Sequence, residues 1–169
     1  MGSFTAFSRQ RPVPNGRRND SRRSRTVTEY VLDASVAAKW LLPPEKESLV
    51  ERSLQMLTNF KVGKLSFIVP DLFWAEMGNI FWKSARTGRM PIVAAEVAFA
   101  SLLEITIPTS SSIPLLPSSF EIALRFQRTF YDSIYLALAK SSGHPLVTAD
   151  ERLANAVAAY LPVRWLGAI

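Results

Sequence analysis

Thr26-Val-Thr-Glu-Tyr-Val-Leu-Asp-Ala-Ser35 is a β-branched and aromatic segment that runs straight into an acid. Residues of that kind favour a buried strand, and here the strand stops at Asp33. The same grammar returns at Leu146-Val-Thr-Ala-Asp150, a second short apolar strand closed by an acid. Around these two, helical spacing alternates with short apolar runs. Ser35 can cap a short helix over Val36–Leu42, which Pro43-Pro44 ends. Residues 45–59 have helical spacing, with Leu49, Leu54, Met56 and Leu57 turned inward and Glu45, Glu47 and Glu51 on a solvated face. Phe67-Ile-Val69 is a strand stopped by Pro70. Asp71 caps a helix over residues 72–87, closed by Gly88. Another apolar helix starts near Pro91 and reaches Leu103, and Ile105-Thr-Ile107 reads as a short strand.

The Pro/Ser-rich stretch 108–119 reads as a loop, and Ser118-x-x-Glu121 as a capping box opening a helix through Arg128. Asp132 to Ser141 is the next helix and Leu146–Thr148 a strand. Asp150 to Ala159 is a helix, and Val163–Leu166 the last strand. Short buried strands alternating with helices predict an α/β fold of three layers. Its small, mainly parallel central sheet is covered by helices on both faces, as one domain over residues 27–169. In such folds the working groove lies beyond the carboxyl ends of the strands. Asp33 and Asp150 fall at that edge. Glu76 lies one turn into the helix after the second strand, and Asp132 begins a helix.

Four acids with apolar neighbours are thus directed to one end of the sheet. An unpaired charge withdrawn from water is costly, and several together repel unless a cation sits between them. That pattern points to a divalent metal site and to phosphodiester hydrolysis. Oxygen donors without nearby His or Cys select Mg²⁺ or Mn²⁺ over zinc. Asp33 and Asp132 are the expected direct ligands, Asp150 completes the cluster, and Glu76 binds a second ion or orients water. Each acid also has a plainer reading. Asp33 and Asp150 are natural helix N-caps, and Asp132 favours a helix N-terminus through the dipole. Glu76 is hardest to explain that way, set among Phe73, Trp74, Met77, Ile80 and Phe81. Ser35, Thr148 and Asn79 are supporting candidates, either holding carboxylates and water or simply capping helices.

Composition narrows the chemistry further. The chain of 169 residues has no cysteine, so disulfides and thiolate zinc sites are excluded. Its one histidine, His144, sits in a Ser-Ser-Gly-His-Pro turn. That disfavours a histidine acid–base pair or a Ser-His-Asp triad. No apolar run is long enough to span a membrane, and the expected location is cytoplasmic. Seven arginines and one acid in residues 1–26 account for the whole net charge of +6. With its Ser, Pro, Gly and Asn content this segment reads as a disordered basic tail. It reads as an arm for nucleic-acid phosphates, as a dispensable extension, or as a targeting segment, although no apolar run follows its arginine pairs. Trp40 and Trp82 are open to a place on a partner surface, and Arg125 and Arg128 to a contact with phosphates or plain surface charge.

At its acidic motifs the chain resembles the PIN-domain family, and within it the VapC-type toxins of bacterial toxin–antitoxin pairs. The segments that carry the resemblance are Val-Leu-Asp-Ala-Ser-Val-Ala-Ala-Lys-Trp-Leu-Leu-Pro (31–43) and Pro-Asp-Leu-Phe-Trp-Ala-Glu-Met-Gly-Asn-Ile-Phe-Trp-Lys (70–83). Tyr-Asp-Ser-Ile-Tyr-Leu-Ala-Leu-Ala (131–139) and Leu-Val-Thr-Ala-Asp-Glu-Arg-Leu (146–153) complete the set, in family order. The resemblance covers roughly residues 27–167. It implies a metal-dependent endoribonuclease acting on structured RNA such as tRNA or rRNA, usually a homodimer, neutralised by a small cognate antitoxin. Two other functions stay open: a PIN-like RNA- or protein-binding module without cleavage, and a DNA-directed nuclease with the same acids.

Overall fold

The computed structural model describes residues 27–169; the basic segment 1–26 lies outside the described residues. Five strands form one parallel sheet: β1 (Thr28–Leu32), β2 (Leu65–Pro70), β3 (Thr109–Ser110), β4 (Leu146–Thr148) and β5 (Val163–Trp165), in the order β3-β2-β1-β4-β5. The chain steps outward from β1 through β2 to β3, then crosses back to place β4 on the other side of β1. The order therefore reverses between β1 and β4. That is the switch point at which open parallel sheets present a crevice.

Helices α1 (Ala34–Ala37), α2 (Val50–Lys61), α3 (Leu72–Arg86) and α4 (Ile92–Leu103) belong to the outward steps. Helices α5 (Leu116–Phe126), α6 (Phe130–Ser142) and α7 (Glu151–Val157) belong to the return. Right-handed crossovers put these two groups on opposite faces of the sheet, which gives the three layers. Helix α6 is central: Ser133 through Ala139 are all buried, with β1, β2 and β4 on one side and α5 on the other. Fully buried Leu32, Phe67, Phe73, Met77, Leu102, Leu136 and Leu146 join strands and helices into one core. Each such side chain contributes ~1.5–3 kcal/mol, so the elements that carry the acids are rigidly mounted.

Several local expectations give way to long-range demands. The third strand is Thr109–Ser110, not residues 105–107, because the Val69 amide bonds Pro108 O (3.0 Å) and the Asp71 amide bonds Ser110 O (2.9 Å). The supposed loop 108–119 therefore holds a strand, and α5 starts within it at Leu116, with Pro117 in its first turn. Ser118 caps nothing. Its neighbour Ser119 is buried and donates to Leu115 O at 2.8 Å. The helix expected from residue 45 begins at Val50, after a 3₁₀ turn over Pro44–Lys46. Leu54 is 40% exposed, while Ser53 turns inward and donates to Val36 O at 2.8 Å. Trp40 is likewise core: its indole donates to Ser53 O at 3.0 Å, so it is not a partner surface.

Glu47 does not lie on a solvated face. It accepts from Lys39 and from Arg89, each at 2.5 Å, and is only 15% exposed. Burial pushes its carboxyl up, but the bonds from Lys39 and Arg89 outweigh that and hold it below the usual glutamate range. Gly88, with φ +67°, takes the left-handed turn that ends α3 and sends Arg89 back toward Glu47. Asp71 precedes α3 but caps nothing with its side chain; its carboxylate accepts from the Ser112 hydroxyl and amide instead.

Candidate active site

The acids are delivered by four separate elements. Asp33 follows β1 directly and is the N-cap of α1, a role that Ser35 was expected to fill. Its carboxylate accepts from the Ser35 hydroxyl at 2.9 Å, from the Ser35 amide at 3.3 Å and from the Thr148 hydroxyl. Ser35 Oγ in turn accepts from the Ala149 amide, and Thr148 Oγ1 from the Asp150 amide, both at 3.0 Å. Each hydroxyl has one proton to give, and both are given to the same oxygen, Oδ2 of Asp33. Two small side chains thereby tie the ends of β1 and β4 together across the switch point.

Asp150 caps α7 by accepting from the Leu153 amide at 3.0 Å. Asp132 does not open its helix. Thr129 does, accepting from the Asp132 amide at 3.0 Å, so Asp132 lies in the first turn of α6 near the positive end of the helix dipole. Glu76 stands on α3 and accepts from the Tyr135 hydroxyl at 2.5 Å.

Asp33, Glu76, Asp132 and Asp150 all line one open cleft of about 260 Å³, together with Ser35, Asn79 and Tyr135. Thr148 is buried behind Asp33. The cap roles of Asp33 and Asp150 are therefore real, and they coexist with exposure of both carboxylates to a shared cleft.

The electrostatics single out two of the acids. Burial drives the Asp33 carboxyl above its ordinary value, against the pull of the Thr148 and Ser35 hydrogen bonds, and the charge of Asp132 adds to the rise. Glu76 is also pushed up, by burial first; the Tyr135 bond opposes this, and Asp33 and Asp132 reinforce it. Tyr135 is pushed well above the usual phenol range by burial and by the two carboxylates, so it stays a donor. Among the described residues, Asp33 accepts only from hydroxyls and an amide, and Glu76 only from a phenol. A cation is the partner such a set lacks, and carboxylate oxygens are the donors a hard divalent ion prefers. Among the described residues, no three carboxylates or imidazoles are drawn together as a finished coordination cluster. The donor chemistry fits a hard ion, and the acids face a common space without already converging on one point.

Tyr135 is the member that sequence reasoning passed over. The available signal was its place three residues after Asp132, on the same side of a helix.

Residues 30–158 match the PIN domain, and the chain belongs to the PIN-domain family. Ribonuclease VapC3 of Pyrobaculum aerophilum is 30% identical over 129 residues, covering 75% of this chain and 93% of the relative. Exonuclease VapC9 of the same organism is 37% identical over 132 residues, covering 74% and 83%. The crystal structure of PAE2754 from P. aerophilum superposes with a TM-score of 0.61 at 26% identity, covering 83% of this chain and 85% of that one. Within the PIN family, the chain is of the VapC type.

Proposed function

We propose that this protein is an endoribonuclease toxin that hydrolyses phosphodiester bonds in structured RNA, tRNA or rRNA, with Mg²⁺ or Mn²⁺ in the cleft. The observation that carries this reading is the convergence of four acids from four elements on one cleft at the switch point. Asp33, Asp132 and Asp150 would hold the ion, and Glu76 would complete the set. The chemistry a divalent ion supplies in such a site is neutralisation of phosphate charge and activation of water for attack on phosphorus. The chain's own residues do the rest. Ser35 and Thr148 fix the Asp33 carboxylate, and Tyr135 aims Glu76.

A small antitoxin encoded beside the toxin would neutralise it, and a second copy of the chain would complete a homodimer in the cytoplasm. Leu116, Phe120 and Leu124, spaced four apart on α5 and exposed, form the apolar stripe such a dimer would cover.

The test is incubation of purified protein with total RNA and Mg²⁺ or Mn²⁺, beside EDTA and Asp33→Asn controls, with mapping of new RNA ends. Discrete internal cuts that need metal and Asp33 support the reading; RNA left intact throughout would sink it. One relative is called an exonuclease, which favours a second reading in which ends are trimmed. A circular RNA separates the two, because only an endonuclease opens it.

A further inference from the structure

Helix α3 carries more than Glu76. Asn79, Trp82, Lys83 and Arg86 fall at i, i+3, i+4 and i+7, which is one face of a helix. All four are exposed. Asn79 lines the acidic cleft, so the row begins inside the site and runs outward for two further turns, about 10 Å at 1.5 Å per residue. Its outer part has the two components that single-stranded nucleic acid uses. Lys83 and Arg86 are cations. Trp82 is a large exposed ring, 56% accessible, with the Arg86 guanidinium stacked on it at 4.6 Å. Elsewhere, Lys39 and Arg89 are taken up by Glu47, and Arg125 lies over Phe126 and Tyr160. Glu96 stands behind Trp82, in the groove between α3 and α4, and repels phosphates from that side.

We propose that this face of α3 is a track for an unpaired RNA segment adjoining the scissile phosphate. Lys83 and Arg86 contact its backbone, and one base stacks on Trp82. The argument rests on charge complementarity and on continuity with the cleft through Asn79. It deepens the nuclease reading above and depends on that reading for the polarity of the track. Base stacking on an aromatic ring is tolerant of sequence. The track therefore supplies affinity and register, while recognition of a particular RNA lies elsewhere. Trp82, Lys83 and Arg86 are positioning residues here, remote from the reacting atoms.

The test uses a twelve-nucleotide oligouridine in EDTA, so that binding is read without cleavage. Trp82 is the one tryptophan of the exposed class; Trp40 is buried, and Trp74 and Trp165 are half-buried. Stacking on Trp82 should quench a distinct part of the emission, and Trp82→Phe should bind comparably without that quench. Lys83→Gln/Arg86→Gln should weaken binding and lower the slope of log K against log salt by about 1.4, the value for two phosphate contacts on a single strand. On a cleavable RNA the double variant should raise KM about tenfold with kcat nearly unchanged. Unchanged quench-detected affinity and salt slope in the double variant would overturn the track. So would normal RNA binding in Trp82→Ala together with loss of a protein partner, which would make the face a docking surface. Because these binding readouts need no catalysis, an inactive enzyme that still binds through Trp82 leaves the track standing while the cleavage reading falls.

Discussion

Glu47 and Asp33 are both carboxylates partly withdrawn from solvent, and they meet opposite conditions. Glu47 has two cations against it, Lys39 and Arg89, each at 2.5 Å. Asp33 has two hydroxyls and an amide, with another acid, Asp132, close enough to raise its carboxyl further. Glu47 is accordingly held below its ordinary range and Asp33 above it. The first is a closed structural unit. It fastens the segment after α1 to the turn between α3 and α4. The second is an arrangement whose charge is unmet by any cation among the described residues. An acid whose cations are built in serves the fold, whereas acids grouped without one among the described residues are what the proposed cation site rests on.

The contrast breaks most visibly in catalysis. We predict that Asp33→Asn lowers kcat/KM on a mapped RNA site by about 10³-fold or more, the scale of losing one member of a catalytic unit. Glu47→Gln should retain kcat at temperatures where it is folded. Turnover by the Asn variant near the wild-type rate, with folding verified by circular dichroism, would remove Asp33 from the site and leave it a helix cap.

Stability should respond in the opposite order. Glu47→Gln strips buried Lys39 and half-buried Arg89 of their partner and should cost about 2–3 kcal/mol, at or below the low end for breaking a fully buried ion pair. Asp33→Asn in EDTA removes an unmet charge while an amide oxygen remains to accept from Ser35 and Thr148. It should gain about 1 kcal/mol, or roughly 2–4 °C in Tm. Thermal melts of both variants in EDTA decide the point. Equal losses would mean that Asp33 is as structural as Glu47.

The same opposition fixes the sign of the pH dependence. An acid raised in the folded state binds protons there that the unfolded chain has already released, so stability falls as pH rises through that window. For Asp33 and Glu76 the window opens at their unperturbed values of 3.8 and 4.5 and extends upward. Glu47 behaves inversely: its contribution is present above its unperturbed value of 4.5 and is lost as pH falls through its lowered one. Metal-free protein should therefore lose Tm as pH is raised from about 5 toward neutrality, the unperturbed carboxylate values lying near 4. Saturating Mn²⁺ should restore it, by about 2.7 kcal/mol at a hundredfold excess over Kd. A Tm in EDTA that climbs with pH, unaffected by Mn²⁺, would contradict the unmet-charge account of the cleft.

The two regions were not equally legible in the sequence. The cleft was, because each acid is announced locally: Asp33 and Asp150 terminate apolar strands, and Glu76 and Asp132 interrupt apolar helical stretches. The parallel sheet then brings them to one edge with no further instruction. The ion cluster was not. Lys39, Glu47 and Arg89 share no local pattern, and Glu47 stands among charged residues that read as a solvated helix face. Only the left-handed turn at Gly88 returns Arg89 to it. β3 was misplaced for a similar reason. Two residues carry no periodicity, and the pairing is decided by β2 through the amides of Val69 and Asp71.

Tyr135 gives the smallest effect and the finest test of how the cleft is poised. Its hydroxyl donates to Glu76 at 2.5 Å and pulls that carboxyl down against burial and the neighbouring acids. Tyr135→Phe keeps the ring in the core and removes the hydroxyl that donates to Glu76 and accepts from the Ala34 amide. Two consequences follow together. Glu76 loses the contact that fixes its rotamer, so kcat/KM and Mn²⁺ affinity should each fall about tenfold, the low end for groups that support a metal ligand. The Glu76 carboxyl should also rise further, moving the acid limb of the pH–rate profile to higher pH. A purely structural phenol would depress activity at every pH alike, and a shift of the limb would not accompany it. Activity in the variant equal to wild type would instead mean that the bond to Tyr135 holds Glu76 away from its working position, and that this glutamate turns into the cleft only after the bond is released.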